Sequence, residues 1–430
     1  MNQTDRLERD LTAWFVETAA PRTPDFLDDI LAQTAGANQR AAWTFPERWL
    51  PMSVTTLGRR TLAPVPWRTL GIVAVIALLT LATLAVVIGS QRRVPAPFGP
   101  AGNGLVAVEQ AGDIVVLDPT TGSPRILIGG PTFDTNPRFS RDGTRIAFFR
   151  ETGSALQLAM ADADGRNVRV LDTGPMSETG NIDWAPDGRT ILLSTTDPGG
   201  SAPTDHAQAV WIIPVDGGPG RALSLGMAAT SAAWRPPEGR QFLFLGVVGT
   251  THGLYVADAD GTNVGTIVSP NPALDIGYAS WAPDGSTIGY TEWDTTADVA
   301  TARQRFVSHD GTDNRMIELD PGATWGLGTW SNDNERVFIT GIPKAGHEGT
   351  FYAIVIRRDT PTVGPMNLAA PPVGAYIFGG SWSPDDTSFV GTTHDADDRP
   401  LTQMLWDTTT GKVAPAPWSP ISSDWQRIAR

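Results

Sequence analysis

The feature of this sequence that most restricts its fold is a short pattern repeated along the chain. It consists of an aromatic residue, a turn sequence such as Ala-Pro-Asp-Gly, and an apolar run. The copies follow one another at intervals of 45 to 52 residues, and their aromatic positions are Phe139, Trp184, Trp234, Trp281, Trp330 and Trp382. Repeats of this length that contain short β runs are typical of a radial array of sheets.

Each repeat divides into four short strands separated by turns. The first strand ends at the aromatic residue, and a second Asp-Gly pair, such as Asp260-Gly261, separates the third strand from the fourth. Asp and Gly tolerate the backbone angles that tight hairpins require. Because a single small sheet is only marginally stable, we expect the units to stack as the four-stranded antiparallel blades of a β-propeller.

The two ends of the array determine the number of blades. Residues 104–130 contain three strands with no aromatic first strand before them, and Trp425 lies in a terminal strand with no second strand behind it. Joining these pieces would remove two exposed sheet edges. We therefore predict a mainly β, seven-bladed propeller over residues 104–430. A six-bladed ring whose ends pack differently is the alternative.

The pattern of Trp or Phe, then Ser/Ala-Pro-Asp-Gly, then an apolar strand resembles the WD-like propeller repeat of the bacterial TolB family. The copy at Trp330 departs from it with Ser-Asn-Asp-Asn, and the copy at Trp234 contains an inserted residue. The resemblance implies a propeller fold and says little about function, because the repeat is scaffold. We interpret the seven aromatic residues, Trp425 included, as structural residues that pack the blades together.

A stretch of 23 residues without a charge, Thr69–Gln91, lies between Arg68 and Arg92. As a helix it would span roughly 34 Å at 1.5 Å per residue, which is enough to cross a bilayer. A buried core helix would show polar positions at helical spacing, and a cleaved signal peptide would not follow 68 other residues. We predict one transmembrane helix, flanked by linkers at residues 51–68 and 92–103.

The distribution of charge predicts the orientation of this helix. Arg59, Arg60 and Arg68 precede it and two arginines follow it, a slight bias that places the N-terminus in the cytosol. Residues 94–430 carry 22 basic and 38 acidic side chains, which argues against a nucleic-acid partner. We therefore expect the propeller to lie outside a bacterial cytoplasmic membrane.

Residues 1–50 are predicted to form a short helical cytosolic segment. Leu7, Leu11, Trp14 and Phe15 fall on one face of a helix, and a segment this small buries too little to fold robustly alone. Trp14 and Phe15 are therefore possible partner-binding residues. A helical head, one span and an outer domain resemble membrane-tethered anti-sigma factors, which implies a cytosolic regulator as partner. The zinc-binding His and Cys of that family are absent from residues 1–68.

The sequence contains few groups that could carry catalysis. It has no Cys, which excludes disulfides, a thiol nucleophile and Cys-ligated zinc. It has no Gly-x-Ser-x-Gly motif and no phosphate-binding Gly loop with Lys, and its five His never stand at metal-ligand spacing. We therefore predict that the chain is not an enzyme and that it holds neither a cofactor nor a metal.

We expect ligands to bind on the face that carries the long loops between second and third strands. One loop places His394 beside Asp395, Asp397 and Asp398, which could bind a basic peptide or a cation, or could form a solvated surface. The predicted function is a membrane-anchored extracytoplasmic propeller that binds a protein or peptide, or acts as a scaffold, without catalysis. One alternative is a transmembrane sensor whose head binds a cytosolic regulator such as a sigma factor. The other is a cation-dependent enzyme that uses acidic loops on one face.

Overall fold

A computed structural model of the chain describes most of the propeller region and little of the region before it. The described residues are 10, 13, 72–80, 95–153, 155–173, 180–195, 209–296, 302–317, 323–343, 352–357, 376–394, 399–418 and 423–430. The chain divides into two compact units, Met1–Ser90 and Gln91–Arg430. The predicted boundaries at residues 50, 68 and 103 are not tested by this division.

The second unit is built from short strands, as the turn-rich repeats predict. They are β1 (Gly102–Gln110), β2 (Asp113–Leu117), β3 (Pro124–Ile128), β4 (Phe133–Phe139), β5 (Arg145–Thr152), β6 (Ala155–Asp162), β7 (Arg169–Val170), β8 (Gly180–Trp184), β9 (Thr190–Thr195), β10 (Val210–Pro214), β11 (Arg221–Ala222), β12 (Ala228–Trp234), β13 (Gln241–Val248), β14 (Thr251–Asp258), β15 (Gly265–Val268), β16 (Leu274–Trp281), β17 (Thr287–Asp294), β18 (Ala302–Ser308), β19 (Arg315–Met316), β20 (Ala323–Trp330), β21 (Arg336–Pro343), β22 (Tyr352–Arg357), β23 (Tyr376–Trp382), β24 (Ser388–His394), β25 (Pro400–Asp407), β26 (Val413–Pro415) and β27 (Ser423–Ile428).

These strands form antiparallel sheets in which neighbours in sequence are neighbours in space. Five sheets are consecutive four-strand meanders: β4 to β7, β8 to β11, β12 to β15, β16 to β19 and β23 to β26. A sixth four-stranded sheet has the order β27-β1-β2-β3, and β20 to β22 form a three-stranded sheet. Six complete four-stranded blades are therefore described, against the seven expected. The physical reason for the difference is that β22 has no fourth partner strand within the described residues.

The ring is closed by pairing the two ends of the propeller chain. Strand β27 pairs antiparallel with β1, and Trp425 lies opposite Val106. The C-terminal strand thus supplies the first strand that residues 104–130 lack. Because each strand covers the edge of the other, two rows of unpaired backbone groups are removed by one contact.

The hydrophobic core lies between the sheets. One cluster joins Phe149 and Leu158 of one blade to Trp184 and Ile191 of the next, and another joins Leu243 to Trp281 in the same way. Each blade is therefore apolar on both faces and is stabilised by its two neighbours. This is why no blade could be stable alone.

In every blade except the closing one, the first strand passes to the second through a short turn. We call the side of the propeller that carries these turns the turn face. The fourth turn residue has a left-handed backbone, as at Gly143, Gly188 and Gly285, whose φ angles are 66° to 68°. In the turns that follow Trp330 and Trp382, Asn334 and Asp386 stand in place of the glycine and adopt the same conformation, with φ of 65° and 63°. Asn and Asp tolerate this region better than other residues with a side chain, so both departures preserve the turn.

In several turns the glycine is required by packing as well as by conformation. A Cβ atom at Gly285 would lie 2.0 Å from the carbonyl oxygen of Pro236, in the turn of the preceding blade. At Gly188, which has nearly the same φ angle, the nearest atom to such a Cβ is 3.9 Å away. Substitution of Gly188 therefore tests the backbone conformation alone, whereas substitution of Gly285 tests the backbone conformation together with the close contact between blades.

We predict that Gly285→Ala destabilises the protein more than Gly188→Ala does. Both substitutions incur a left-handed backbone penalty of about 1–3 kcal/mol. Only Gly285→Ala also forces two blades apart, at an additional cost of about 1–3 kcal/mol. Thermal and urea unfolding of the full chain measure the difference, and equal losses in the two variants would contradict tight packing between these turns.

In the first unit, the described residues of the predicted span are 72–80, and they are helical with exposed side chains such as Leu78 and Leu79. The rest of Thr69–Gln91 lies outside the described residues. Among the residues that are described, no helix is long and apolar enough to cross a membrane. The structure therefore lends no support to the predicted transmembrane helix.

Candidate functional site

The seven aromatic residues of the repeat all lie in the core. Their exposed fractions range from 2 % for Trp184 to 8 % for Trp330. Three of the indoles also bind the preceding blade: Trp184, Trp281 and Trp382 each donate from Nε1 to the carbonyl of the residue before that blade's aromatic position, at 2.9 to 3.3 Å. The repeat thus places one buried aromatic side chain in each blade, an indole in six of them and the Phe139 ring in the other.

A bulge in the first strand helps to place these aromatic residues. In β4, β12 and β16 the register shifts a few residues before the strand ends, and Asn136, Ser231 and Tyr278 have positive φ angles there. A bulge bends its strand and increases the local twist, which turns the end of the strand towards the axis. Successive first strands contact one another, so their ends converge at the turn face.

Two aspartates join neighbouring blades at this level. Asp183 accepts a hydrogen bond from the backbone N–H of Trp234 at 2.7 Å, and Asp424 accepts one from the backbone N–H of Phe139 at 2.6 Å. Each aspartate immediately precedes its own aromatic residue. Burial raises the pKa of the Asp424 carboxyl, while Arg138 and the Phe139 N–H oppose that rise.

The ends of these strands enclose a cavity of about 280 Å³ on the turn face, which we call the turn-face cavity. Trp234, Trp281 and Trp330 line one side of it. Its polar lining includes Asp183 and the residues Arg141, Ser280, Asn332 and Arg427. The cavity therefore combines aromatic edges with two guanidinium groups.

Arg427 is the most perturbed charged group at this cavity. Burial, reinforced by the nearby charge of Arg141, lowers the pKa of its guanidinium to about 10, and Asp386 partly opposes the shift. The group therefore remains charged at neutral pH but lacks full solvation. Its Nη1 donates to Asn332 Oδ1 at 2.9 Å, while its Nε has no partner among the described residues.

Residues 95–100, Pro-Ala-Pro-Phe-Gly-Pro, lie against the cavity, and Pro97, Phe98 and Gly99 form part of its lining. Arg427 Nη2 donates to the carbonyl of Ala96 at 3.1 Å and to that of Gly99 at 2.5 Å. The guanidinium carbon of Arg141 lies 5.1 Å from the centre of the Phe98 ring, within cation–π range. A bent piece of polypeptide thus already fits this surface.

The charged groups of the cavity lining are two arginines and one aspartate. Asp183 is paired with Arg141 at 2.7 Å, whereas Arg427 already donates to two main-chain carbonyls. The Nε1 atoms of Trp234 and Trp330, the Ser280 hydroxyl and Arg427 Nε have no partner among the described residues, but they are buried and not exposed in the cavity. The two arginines therefore favour a ligand that supplies acceptors, such as peptide carbonyls or a carboxylate.

Of the residues predicted from the sequence to bind partners, His394 is the one that lies within the described ranges. His394 ends β24, whereas Asp395, Asp397, Asp398, Trp14 and Phe15 lie outside the described residues. No group of three or more His, Cys, Asp or Glu that could hold a metal occurs in the described ranges. The acidic-loop interpretation therefore stays a prediction.

Sequence reasoning missed Arg141, Arg427 and Phe98. They come from a turn after β4, from the last strand and from the segment before β1, and no local pattern relates them. The sequence offered one indication of the site, which was the position of Arg427 in the repeat. Arg427 stands two residues after Trp425 in the strand expected to close the ring, and its side chain could have been placed near the axis on that ground.

The comparisons with solved structures concern the fold. Oligogalacturonate lyase, solved with manganese, is similar over 70 % of this chain and 84 % of the lyase, with 15 % identity and a TM-score of 0.53. The propeller domain of the Trilobed protease from Pyrococcus furiosus is similar over 75 % of this chain and 96 % of that domain, with 15 % identity and a TM-score of 0.51. A putative TolB from Agrobacterium tumefaciens is similar over 76 % of this chain and 100 % of that protein, with 15 % identity and a TM-score of 0.42. No protein-family model and no curated protein matches this sequence.

These structures correct the prediction that the chain is not an enzyme. The lyase and the protease whose structures share this architecture are enzymes, so the architecture gives no support for an absence of catalysis. At 15 % identity the similarity extends to the fold and not to a site. The chain is a β-propeller protein whose blades resemble those of such structures.

Proposed function

We propose that the turn-face cavity binds a short segment of a protein or peptide ligand. The observation that carries this proposal is the seating of residues 95–100, in which Arg427 holds two main-chain carbonyls. Main-chain carbonyls are present in every peptide, whereas the Phe98 ring on Arg141 adds selectivity for an aromatic side chain. Charge-assisted bonds to acceptors inside a partly buried cavity are stronger than those between neutral groups.

The charge of the surroundings supports a selective site. Residues 94–430 contain more acidic than basic side chains, so a ligand that meets the surface at random encounters negative charge. Arg141 and Arg427 make the cavity a local exception. A ligand with carbonyls or a carboxylate is favoured there, and a basic peptide is not.

A photo-crosslinking experiment tests this proposal. Benzoylphenylalanine replaces Pro283, which lines the cavity, or Phe133, which is 48 % exposed and begins β4 at the opposite end from Phe139. After irradiation of cells, we expect a defined protein adduct from position 283 that is absent from position 133 and weakened by Arg427→Gln. The same adducts from both positions, or none from position 283, would contradict a ligand site at the turn face.

We further propose that Thr69–Gln91 tethers the propeller to the outer side of the cytoplasmic membrane and that the blade β20–β22 completes a ring of seven. What supports the tether is the uncharged run and the slight excess of arginines before it. What supports the seventh blade is that β20 and β21 pack between β18 and β23, in the position of a blade. Residues 1–50 would then face the cytosol and could contact a regulator.

Protease added to spheroplasts tests the tether. We expect degradation of the propeller and protection of residues 1–68, because only those residues would lie behind the membrane. Detergent lysis provides the control, since it should expose both regions. A propeller that survives in intact spheroplasts would rule out this orientation.

A further inference from the structure

We propose that residues 95–100 form a strap that occupies the turn-face cavity in cis and that a ligand must displace. The identity of the ligand rests on the proposed function, but the seating of the strap does not. The strap is the part of the chain that immediately precedes β1, and it contributes Pro97, Phe98 and Gly99 to the cavity lining.

The contacts that hold the strap are few and are of a kind that a ligand can replace. Arg427 binds the carbonyls of Ala96 and Gly99, and Arg141 lies against Phe98. In two of these three contacts the strap contributes only a main-chain carbonyl. An incoming peptide with a suitably placed aromatic residue would offer the same groups.

The sequence of the strap also prevents it from becoming a permanent strand. Pro95, Pro97 and Pro100 have no N–H, so the strap cannot donate at those positions to a sheet. The side chains of Ala96 and Pro100 are exposed, and the strap buries little besides Phe98 and its neighbours. It is therefore preorganised by proline yet weakly attached.

The strap has a fixed end about which it can move. Ala101 is buried, and its N–H donates to the carbonyl of Pro384 at 2.7 Å, immediately before β1 begins at Gly102. Displacement of residues 95–100 would leave this anchor and the β1–β27 pairing unchanged. The cavity can thus open without disturbing the ring.

Because both would bind Arg427, the strap and a ligand cannot occupy the cavity at the same time. Without the strap Arg427 would keep Asn332 and lose two carbonyl acceptors, while its Nε is already unpartnered in the described structure. A buried cation left with one acceptor is unfavourable. The strap and a ligand would therefore compete for the same guanidinium, and each would weaken the other's binding.

The seating of the strap is tested by chymotrypsin cleavage of the Phe98–Gly99 bond in the full chain. The rate is normalised to cleavage of the free peptide of residues 94–101, and the product that begins at Gly99 is quantified by mass spectrometry. We expect the wild-type chain to be protected at least about tenfold. We expect Arg427→Gln, and independently Phe98→Leu with its matching peptide, to lose most of this protection.

Arg145→Gln is the matched control, because Arg145 binds Gly188 and Asp216 at the turn face and does not touch the strap. It should leave the protection unchanged. Phe98→Leu alters no propeller side chain, so it tests the strap even where Arg427→Gln unfolds. Wild-type cleavage at the free-peptide rate, or full protection in both strap variants, would overturn the inference.

Competition is tested with a fluorescein-labelled peptide of residues 94–101 as the probe. The full chain carrying Phe98→Ala should bind this peptide at least about tenfold more tightly than the wild-type chain, and adding Arg427→Gln should remove the gain. Measurable binding of equal strength by the wild-type and Phe98→Ala chains would contradict the strap. Protection from chymotrypsin without binding of the peptide to any variant would support the strap and contradict the proposed peptide-binding function.

Discussion

The pairing of β27 with β1 is the contact on which the rest of the structure depends. A propeller has no central covalent link, and each blade is stabilised only by its neighbours. The β1–β27 ladder converts an open row of sheets into a ring by joining residues more than 300 positions apart. Every other blade is local in sequence, so this is the sheet whose formation must wait for the whole chain.

The same contact builds the candidate site. Strand β27 supplies Asp424, which binds the first strand of the next blade, and Arg427, which holds the segment before β1. Closure therefore brings the two ends of the propeller chain to one place on the turn face.

The sequence predicts much of the fold because the determinants of the blades are local. Aromatic residues at regular spacing, Asp-Gly turns and apolar strands specify each sheet without long-range information, and the unpaired strand around Trp425 indicated how the ends would meet. The turn at Ser331–Asn334 was treated as a departure from the repeat, yet Asn334 adopts the backbone angle of the glycine that it replaces. Because Asn tolerates a left-handed backbone, the turn keeps its conformation although the Asp-Gly motif is missing.

The site could not be predicted in this way, because it depends on which side chains converge at the axis. Phe98, Arg141 and Arg427 are neighbours only after the ring has closed. Attention to long loops instead favoured Asp395, Asp397 and Asp398, since loop length is visible in a sequence and convergence is not. The prediction that the chain is not an enzyme failed for a related reason, because missing motifs exclude only the chemistries that those motifs represent.

A disulfide across the closing strands tests the central claim most directly. Gly102 lies opposite Ile428, and a Cβ at Gly102 would be 3.0 Å from an Ile428 side-chain atom. Since the chain has no Cys, the variant Gly102→Cys/Ile428→Cys can form only this bond within one molecule. If β27 closes the ring, the disulfide should form readily, and the oxidised protein should melt roughly 5 °C or more above its reduced form. Failure of the bond to form, or identical melting of the oxidised and reduced proteins, would contradict closure by these strands.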